Sequence, residues 1–249
     1  MIGKSLLLAA VFTVPLAMSA AALDRDRESV PWFMKRQDSS GQAPDPATTR
    51  EAVIQVYAAR AVGWRGVFAV HTWIAVKPAG APRFTRYEVI GFGVGRGIPA
   101  IRVDRMGPDN YWFGARPDLL LDRRGPDAER LIDKIQTAIA SYPWPNEYTT
   151  WPGPNSNTFT AWIAREVPEL RLTLPSVAIG KDYLGVTPVG LAPSGTGVQL
   201  SLFGLAGAMV AANEGIEINV LGLVLGVDIK SPALMLPGIG RIGVPRPVD

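Results

Sequence analysis

Hydrophobic and polar positions alternate in several short segments in the first half of the chain. Residues 67–77 (VFAVHTWIAVK) are rich in β-branched and aromatic residues, and the turn-type residues at 78–81 separate them from residues 83–94. This pattern is typical of two β-strands joined as a hairpin. It predicts further strands at 52–58 and 101–104, although the polar residues before 52 would also suit the start of a helix.

A helical pattern follows in the middle of the chain. Gly125-Pro126-Asp127 is a typical helix start, and apolar positions then recur at helical spacing over 127–141. A loop rich in Trp and Pro covers 142–154, and Asn155-Ser156-Asn157 precedes a second predicted helix at 158–167. The apolar face of the first helix consists of Leu131, Ile132, Ile135 and Ile139.

The last third of the chain is unusually apolar, with no charged residue over 183–213. Frequent Gly and Pro argue against a membrane span, so we predict a long β-hairpin with arms at 198–212 and 216–230. Both arms are apolar on both faces for much of their length. The domain, a partner or a membrane surface is therefore expected to cover them. The fold class predicted is α+β, an antiparallel sheet with two packed helices and a C-terminal hairpin at about 198–230.

The N-terminus resembles an export signal. Lys4 precedes an apolar stretch over 5–17, and small residues lead to a cleavage site after Ala22. The same stretch, taken over 5–23, would also serve as an uncleaved membrane anchor. We therefore predict three parts: a signal peptide or membrane anchor at 1–22, a linker at 23–48, and one domain at 49–249. The expected location is the periplasm, or the inner membrane with the domain facing the periplasm.

Composition excludes several kinds of chemistry. Among 249 residues there is no Cys and one His, and the formal net charge is +3. Without Cys there is no disulfide, no thiolate nucleophile and no Cys-ligated metal, and a single His cannot form a multi-histidine site. No cofactor or metal is expected. The basic residues are scattered Arg, which does not favour a nucleic-acid partner.

The candidate chemistry depends on that one histidine, His71, in the middle of the best predicted strand. If Lys77 faces Pro82 across the hairpin, His71 lies directly opposite Glu88, close enough for the carboxylate to orient the imidazole. A lone histidine in a strand is also commonly a structural residue, and a strand carboxylate such as Glu88 often faces water.

Polar residues at the start of the second helix complete the candidate site. Asn155, Ser156 and Asn157 are more capping-type residues than one helix needs. If the chain is a nucleophilic hydrolase, Ser156 or a neighbouring hydroxyl is the nucleophile and His71 is its base. Glu88, Asn155 or Asn157 would then orient His71, and the aromatic loop would line a pocket.

Several motifs resemble the bacterial domain-of-unknown-function 3750 family, and the resemblance covers about residues 50–245. It implies a Gram-negative cell-envelope protein and carries no activity. The motifs are VYAAR at 56–60, GWRG at 63–66, FAVHTWIA at 68–75, YEV at 87–89, PGPNSNTF at 152–159 and the segment 234–243.

The order of His71, Glu88 and the Asn-Ser-Asn helix start is similar to circularly permuted papain-like proteins of the NlpC type or the lecithin–retinol acyltransferase type. That similarity implies a papain-like cleft with His71 as base, Glu88 as third polar residue and Ser156 at the nucleophile position. Ser stands where those proteins have Cys, and a hydroxyl is far less acidic than a thiol.

Two functions therefore remain open. One is a non-catalytic domain that binds an envelope ligand or partner, such as peptidoglycan or lipid, in a papain-like cleft. The other is a serine-dependent amide or ester hydrolase or acyltransferase that uses Ser156, His71 and Glu88.

Overall fold

The structure, a computed structural model, describes residues 13–21 and 30–248. The predicted cleavage site after Ala22 and residues 1–12 of the predicted signal lie outside the described residues. Residues 13–21 are helical (α1), and the Ser19 hydroxyl lies within hydrogen-bond distance of the carbonyls of Val67 (2.8 Å) and Gly238 (3.2 Å). In the part of the chain that is described, no helix has both the length and the apolar character needed to cross a membrane.

The first sheet has five antiparallel strands in the order β4-β3-β2-β1-β5. Each of the four predicted strands corresponds to an observed one, while β5 was not predicted. Strand β1 is buried along nearly its whole length because it lies between β2 and β5 with both faces of the sheet covered. The strands are β1 (Val53–Arg60), β2 (Val70–Lys77), β3 (Thr85–Val89), β4 (Ile101–Val103) and β5 (Asp118–Arg124).

Two helices, α2 (Pro126–Ala140) and α3 (Ser156–Glu166), pack on one face of this sheet. The main core lies between them and the sheet, where Ile54, Ile74 and Phe159 are fully buried. The predicted apolar face of α2 is confirmed, since Leu131, Ile132 and Ile135 are buried and Ile139 packs against the same core. Tyr57 and Trp73 occupy the opposite face of the sheet and form a second cluster with Trp112.

The C-terminal part is a seven-stranded antiparallel sheet in the order β12-β11-β10-β9-β8-β7-β6. This corrects the prediction of a two-armed hairpin at 198–230. The turn near residue 213 was predicted, but each arm is divided into two strands by a further turn. The strands are β6 (Val189–Leu191), β7 (Gly197–Leu202), β8 (Ala206–Ala211), β9 (Gly215–Val220), β10 (Leu223–Asp228), β11 (Ala233–Leu236) and β12 (Gly240–Gly243).

This second sheet is polar on its inner face and apolar on its outer face. Gln199, Glu217 and Asn219 point inward and are buried, while Ile218 and Leu200 point outward. The inner polar groups are paired with residues outside the sheet, through contacts such as Lys181 Nζ to Glu217 and Arg165 Nη2 to the Gln199 side-chain oxygen (2.8 Å). The prediction that both faces are apolar is therefore wrong for the inner face.

Part of the predicted linker packs against the first sheet. The Asp109 carboxylate accepts hydrogen bonds from the Ser39 and Ser40 hydroxyls and from the backbone N–H of Gln42. These bonds hold the segment before β1 against the loop that carries Trp112, which forms one wall of the site described below.

Candidate functional site

A cavity of about 830 Å³ opens where the two sheets and the start of α3 meet. Its lining combines the β1–β2 connection, the residues that follow β3, the Trp112 loop and the segment before α3. Most of its walls are aromatic or aliphatic, and His71 and the Asn155-Ser156-Asn157 triplet are among its polar residues. The aromatic lining includes Trp32, Trp64, Phe68, Phe92, Trp112 and Trp151.

His71 and Glu88 form a buried hydrogen bond, with 2.8 Å between His71 Nε2 and Glu88 Oε2. The pairing was predicted, but the register was wrong by two residues. Ile74 pairs with Tyr87, so the same register places Glu88 opposite Trp73 and diagonal to His71. A shift of two residues keeps a side chain on the same face of the sheet, which is why the contact is preserved.

Arg86 is the member of this cluster that sequence reasoning missed. Its Nη2 donates to Glu88 Oε2 at 2.7 Å, and its guanidinium lies 4.0 Å from the centre of the Trp73 ring. Trp112 stacks on the His71 ring with 3.8 Å between centroids. Arg86 lies two residues before Glu88 on the same strand and therefore on the same face, a spacing that could have identified it.

The environment fixes the charge of each group. Burial alone would raise the pKa of Glu88, but the hydrogen bond from His71 and the charge of Arg86 hold it at about 2. Burial lowers the pKa of His71 below 6.5, against the opposing effect of Glu88. At neutral pH Glu88 is therefore ionised and His71 neutral. The proton of the neutral ring sits on Nε2, facing the carboxylate, so Nδ1 carries the free lone pair.

Asn155 and Asn157 have structural roles at the start of α3. The Asn155 side-chain oxygen accepts from the backbone N–H of Asn157 (3.0 Å) and Thr158 (3.2 Å), and Thr158 Oγ1 in turn accepts from the N–H of Asn155, which is a capping box. Asn157 Nδ2 donates to the carbonyls of Val70 (2.9 Å) and Ile179 (2.7 Å). Neither amide contacts His71, so Glu88 is the residue that orients the imidazole.

Ser156 is the first residue of α3 and lines the cavity together with His71. Among the described residues, no hydrogen bond reaches its hydroxyl. Thr72 contacts the start of α3 through its hydroxyl, so His71, the preceding strand residue, points to the opposite face of the sheet. The two side chains therefore meet the cavity from different sides of the sheet end, and no hydrogen bond joins them.

The described residues contain no group of three His, Asp or Glu side chains arranged to hold a metal ion. The charged residues that line the cavity are Arg65 and Arg105. The arrangement is an aromatic cavity with a hydroxyl and an imidazole nitrogen available in its lining.

A family model described as "Protein of unknown function (DUF3750)" matches residues 51–183, slightly more than half of the chain. This range includes β1 to β5, both packed helices, His71, Glu88 and Ser156, and ends before the seven-stranded sheet. Comparison with curated proteins and with solved structures gave no match. The comparisons give no support to the similarity to permuted papain-like proteins.

Proposed function

The chain belongs to the DUF3750 family, and we propose that it binds an amphiphilic ligand whose apolar part enters the aromatic cavity. The observation that carries this proposal is the cavity itself. Its volume of about 830 Å³ lies within the ~300–1,000 Å³ of small-molecule sites, and a mostly apolar lining with few polar groups is typical of such sites.

The free polar groups favour a lipid-like ligand over a glycan. A sugar chain needs many hydrogen-bond partners, but Asn155 and Asn157 are already committed to the helix cap and to backbone carbonyls. Arg65 and Arg105 line the cavity without an acidic residue among the described lining. An acyl chain that ends in an anionic or carbonyl group matches this distribution. The export-type N-terminus supports a cell-envelope location for such a ligand.

Two adjacent residues allow a matched test. Trp32 lines the cavity, whereas Phe33 is exposed to a similar degree and does not line it. We expect a fluorescent fatty acid, dansylundecanoic acid, to bind saturably to the purified chain in vesicle-free buffer. Trp32→Ala is expected to raise the Kd for the fatty acid about tenfold because an aromatic wall of the cavity is lost. Phe33→Ala is expected to leave the Kd unchanged. Absence of saturable binding, or equal effects of the two variants, would refute the proposal.

A second function is favoured by the orientation of His71. With the Nε2 proton facing Glu88, Nδ1 is a free base in the same cavity as the unbonded Ser156 hydroxyl. Ser156 also begins α3, where the dipole of a helix start favours a developing oxyanion. We therefore propose acyl transfer from an ester or amide as the alternative.

The reaction would proceed in two balanced steps. Ser156 Oγ attacks the carbonyl carbon and passes its proton to His71 Nδ1, which then protonates the departing alcohol or amine. Water or a second acceptor attacks the acyl-serine and gives its proton to Nδ1, which passes it to the departing Ser156 Oγ. Ser156 and His71 reach the cavity from different sides of the sheet end, so substrate binding would have to move the Ser156 hydroxyl to within hydrogen-bond distance of Nδ1.

A serine-directed fluorophosphonate probe tests this alternative. Labelling should be lost in Ser156→Ala, strongly reduced in His71→Ala and retained in Thr150→Val, which removes another hydroxyl of the cavity lining. Equal labelling of wild type and Ser156→Ala would exclude the enzyme and leave ligand binding untouched.

A further inference from the structure

The outer face of the seven-stranded sheet consists of aliphatic side chains alone. Strand β7 presents Val198, Leu200 and Leu202 outward, and β9 presents Ile216, Ile218 and Val220. The register aligns these rows with the outward Ala, Val, Leu and Ile residues of the neighbouring strands. On the described strands no charged or hydrogen-bonding side chain interrupts this outer face.

This face is large. Val210, Ile218 and Leu200 are 58 %, 55 % and 49 % exposed, and side chains on all seven strands contribute. The exposed apolar surface is on the order of 1,000 Å², beyond the ~300–600 Å² of the largest patch on a typical monomer. On the inner face of the same sheet, Glu217 pairs with the buried Lys181, which also contacts Asp182. The polarity of the sheet is thus the reverse of that of a sheet with one face in water.

The composition of the face distinguishes between occupants. Protein interfaces are enriched in Tyr, Trp, Phe, Met and Arg and carry about one hydrogen bond per 100–200 Å². The outer face offers none of these residues and no side-chain donor or acceptor. A hydrocarbon phase, in contrast, requires only aliphatic surface. We infer that this face docks on the hydrocarbon boundary of a lipid bilayer.

The residues around the sheet are also consistent with docking of its outer face on a bilayer. The β7–β8 turn contains the exposed apolar residue Phe203, and the β9–β10 turn contains Leu221. Helix α1, the end of the apolar N-terminal segment, contacts the β11–β12 turn through Ser19 and Gly238. The opposite end of the sheet carries the exposed Lys230, whose cationic group suits anionic headgroups. The predicted membrane-associated segment and the apolar turns therefore lie at the same end of the sheet.

The absence of Cys makes a site-specific test straightforward, because a single introduced Cys is the only labelling site. Ile218→Cys and Leu200→Cys probe the outer face. Val103→Cys, on the edge strand β4 of the other sheet, is an equally exposed control, with 54 % exposure against 55 % for Ile218. Each full-length variant is labelled with an environment-sensitive nitrobenzoxadiazole dye and mixed with vesicles of phosphatidylcholine and phosphatidylglycerol.

We expect vesicles with a doxyl group in the acyl chain to quench the dyes at residues 218 and 200 at least about twofold more than the dye at residue 103. The double variant Leu200→Glu/Ile218→Glu is expected to lower vesicle partitioning about tenfold or more, with Val103→Glu as control. Equal quenching at all three positions would overturn the inference. So would a blue shift of the outer-face dyes that grows with protein concentration without vesicles, because a second copy would then cover the face.

Discussion

The buried pair of Arg86 and Glu88 allows a quantitative prediction. The side chain of each is 1 % exposed, so replacing Glu88 by Gln leaves the Arg86 charge buried without its counter-ion. Removing one partner of a buried pair costs about 3–5 kcal/mol, and we expect Glu88→Gln to lower the free energy of unfolding by that amount at pH 7. Urea denaturation followed by circular dichroism measures the change.

A second pair of the same kind and spacing provides the control. Asp122 and Arg124 are also two residues apart on one strand of the same sheet, but their side chains are 20 % and 41 % exposed. Water screens this pair, so Asp122→Asn should cost less than about 1 kcal/mol. If Glu88→Gln prevents folding, the double variant Arg86→Met/Glu88→Leu should restore a folded protein, because it leaves no charge unpaired.

The pH dependence gives an independent estimate. The pKa of Glu88 is lowered from 4.5 to about 2 in the folded protein, so the ionised carboxylate stabilises the fold by about 3 kcal/mol above pH 4.5. This stabilisation is lost as the pH falls from about 5 to about 2. Over that pH range the free energy of unfolding of Glu88→Gln should therefore fall by about 3 kcal/mol less than that of the wild type. Two outcomes would refute a buried Arg86–Glu88 ion pair as the source of this stability. One is parallel stability–pH profiles for wild type and Glu88→Gln, and the other is a loss of stability in Glu88→Gln no larger than that in Asp122→Asn.

Three further predictions concern the surroundings of the site. Because the chain has one histidine, its ring signals in an NMR titration should give a pKa below 6.5, and Trp112→Ala should raise that pKa by exposing the ring; an unshifted pKa would contradict the effect of burial. Asn155→Ala should destabilise the protein by about 2 kcal/mol in urea through loss of the helix cap, whereas Asn146→Ala, an exposed residue, should cost less than about 0.5 kcal/mol. Gly180→Ala should lower the free energy of unfolding more than Gly41→Ala. Both glycines have positive φ, but a Cβ at Gly180 would lie 2.4 Å from the Asn155 amide, whereas Gly41 has open space around it. Equal losses of stability in the two variants would contradict the role of that contact.

Local pattern was sufficient to predict four of the five strands of the first sheet and the two helices packed on it. Strand β2 is rich in β-branched and aromatic residues and is buried throughout, and helix α2 has an apolar face at helical spacing that matches the core. The contact of His71 with Glu88 could be predicted even with the wrong register, since an error of two residues preserves the face of each side chain. An error of one residue would have separated them.

The walls of the site could not be predicted, because they depend on distant segments. Trp112 reaches His71 from a loop that contains little regular structure, and nothing local fixes where that loop packs. The division of the second sheet into short strands could not be predicted for another reason. Phe203 and Leu221 adopt positive φ values of 53° and 54° at its turns, a conformation that large residues rarely adopt, so an apolar Leu221 within an apolar stretch favours strand rather than turn.

The aromatic cavity and the outer face of the second sheet meet at one end of the molecule. Leu221 and Leu223 line the cavity, and Leu223 pairs with Val220 of the outer face. Trp151, another cavity residue, donates its indole N–H to the carbonyl of Leu221 at 3.0 Å, which connects the wall of the cavity to the β9–β10 turn. If the outer face rests on a bilayer, the acyl chain of a lipid can enter the cavity beside this turn with little exposure to water. This route avoids the cost of exposing the chain to water, which is about 0.8 kcal/mol for each methylene. The proposed ligand of the cavity and the proposed docking of the outer face therefore share one source, a lipid that the membrane supplies.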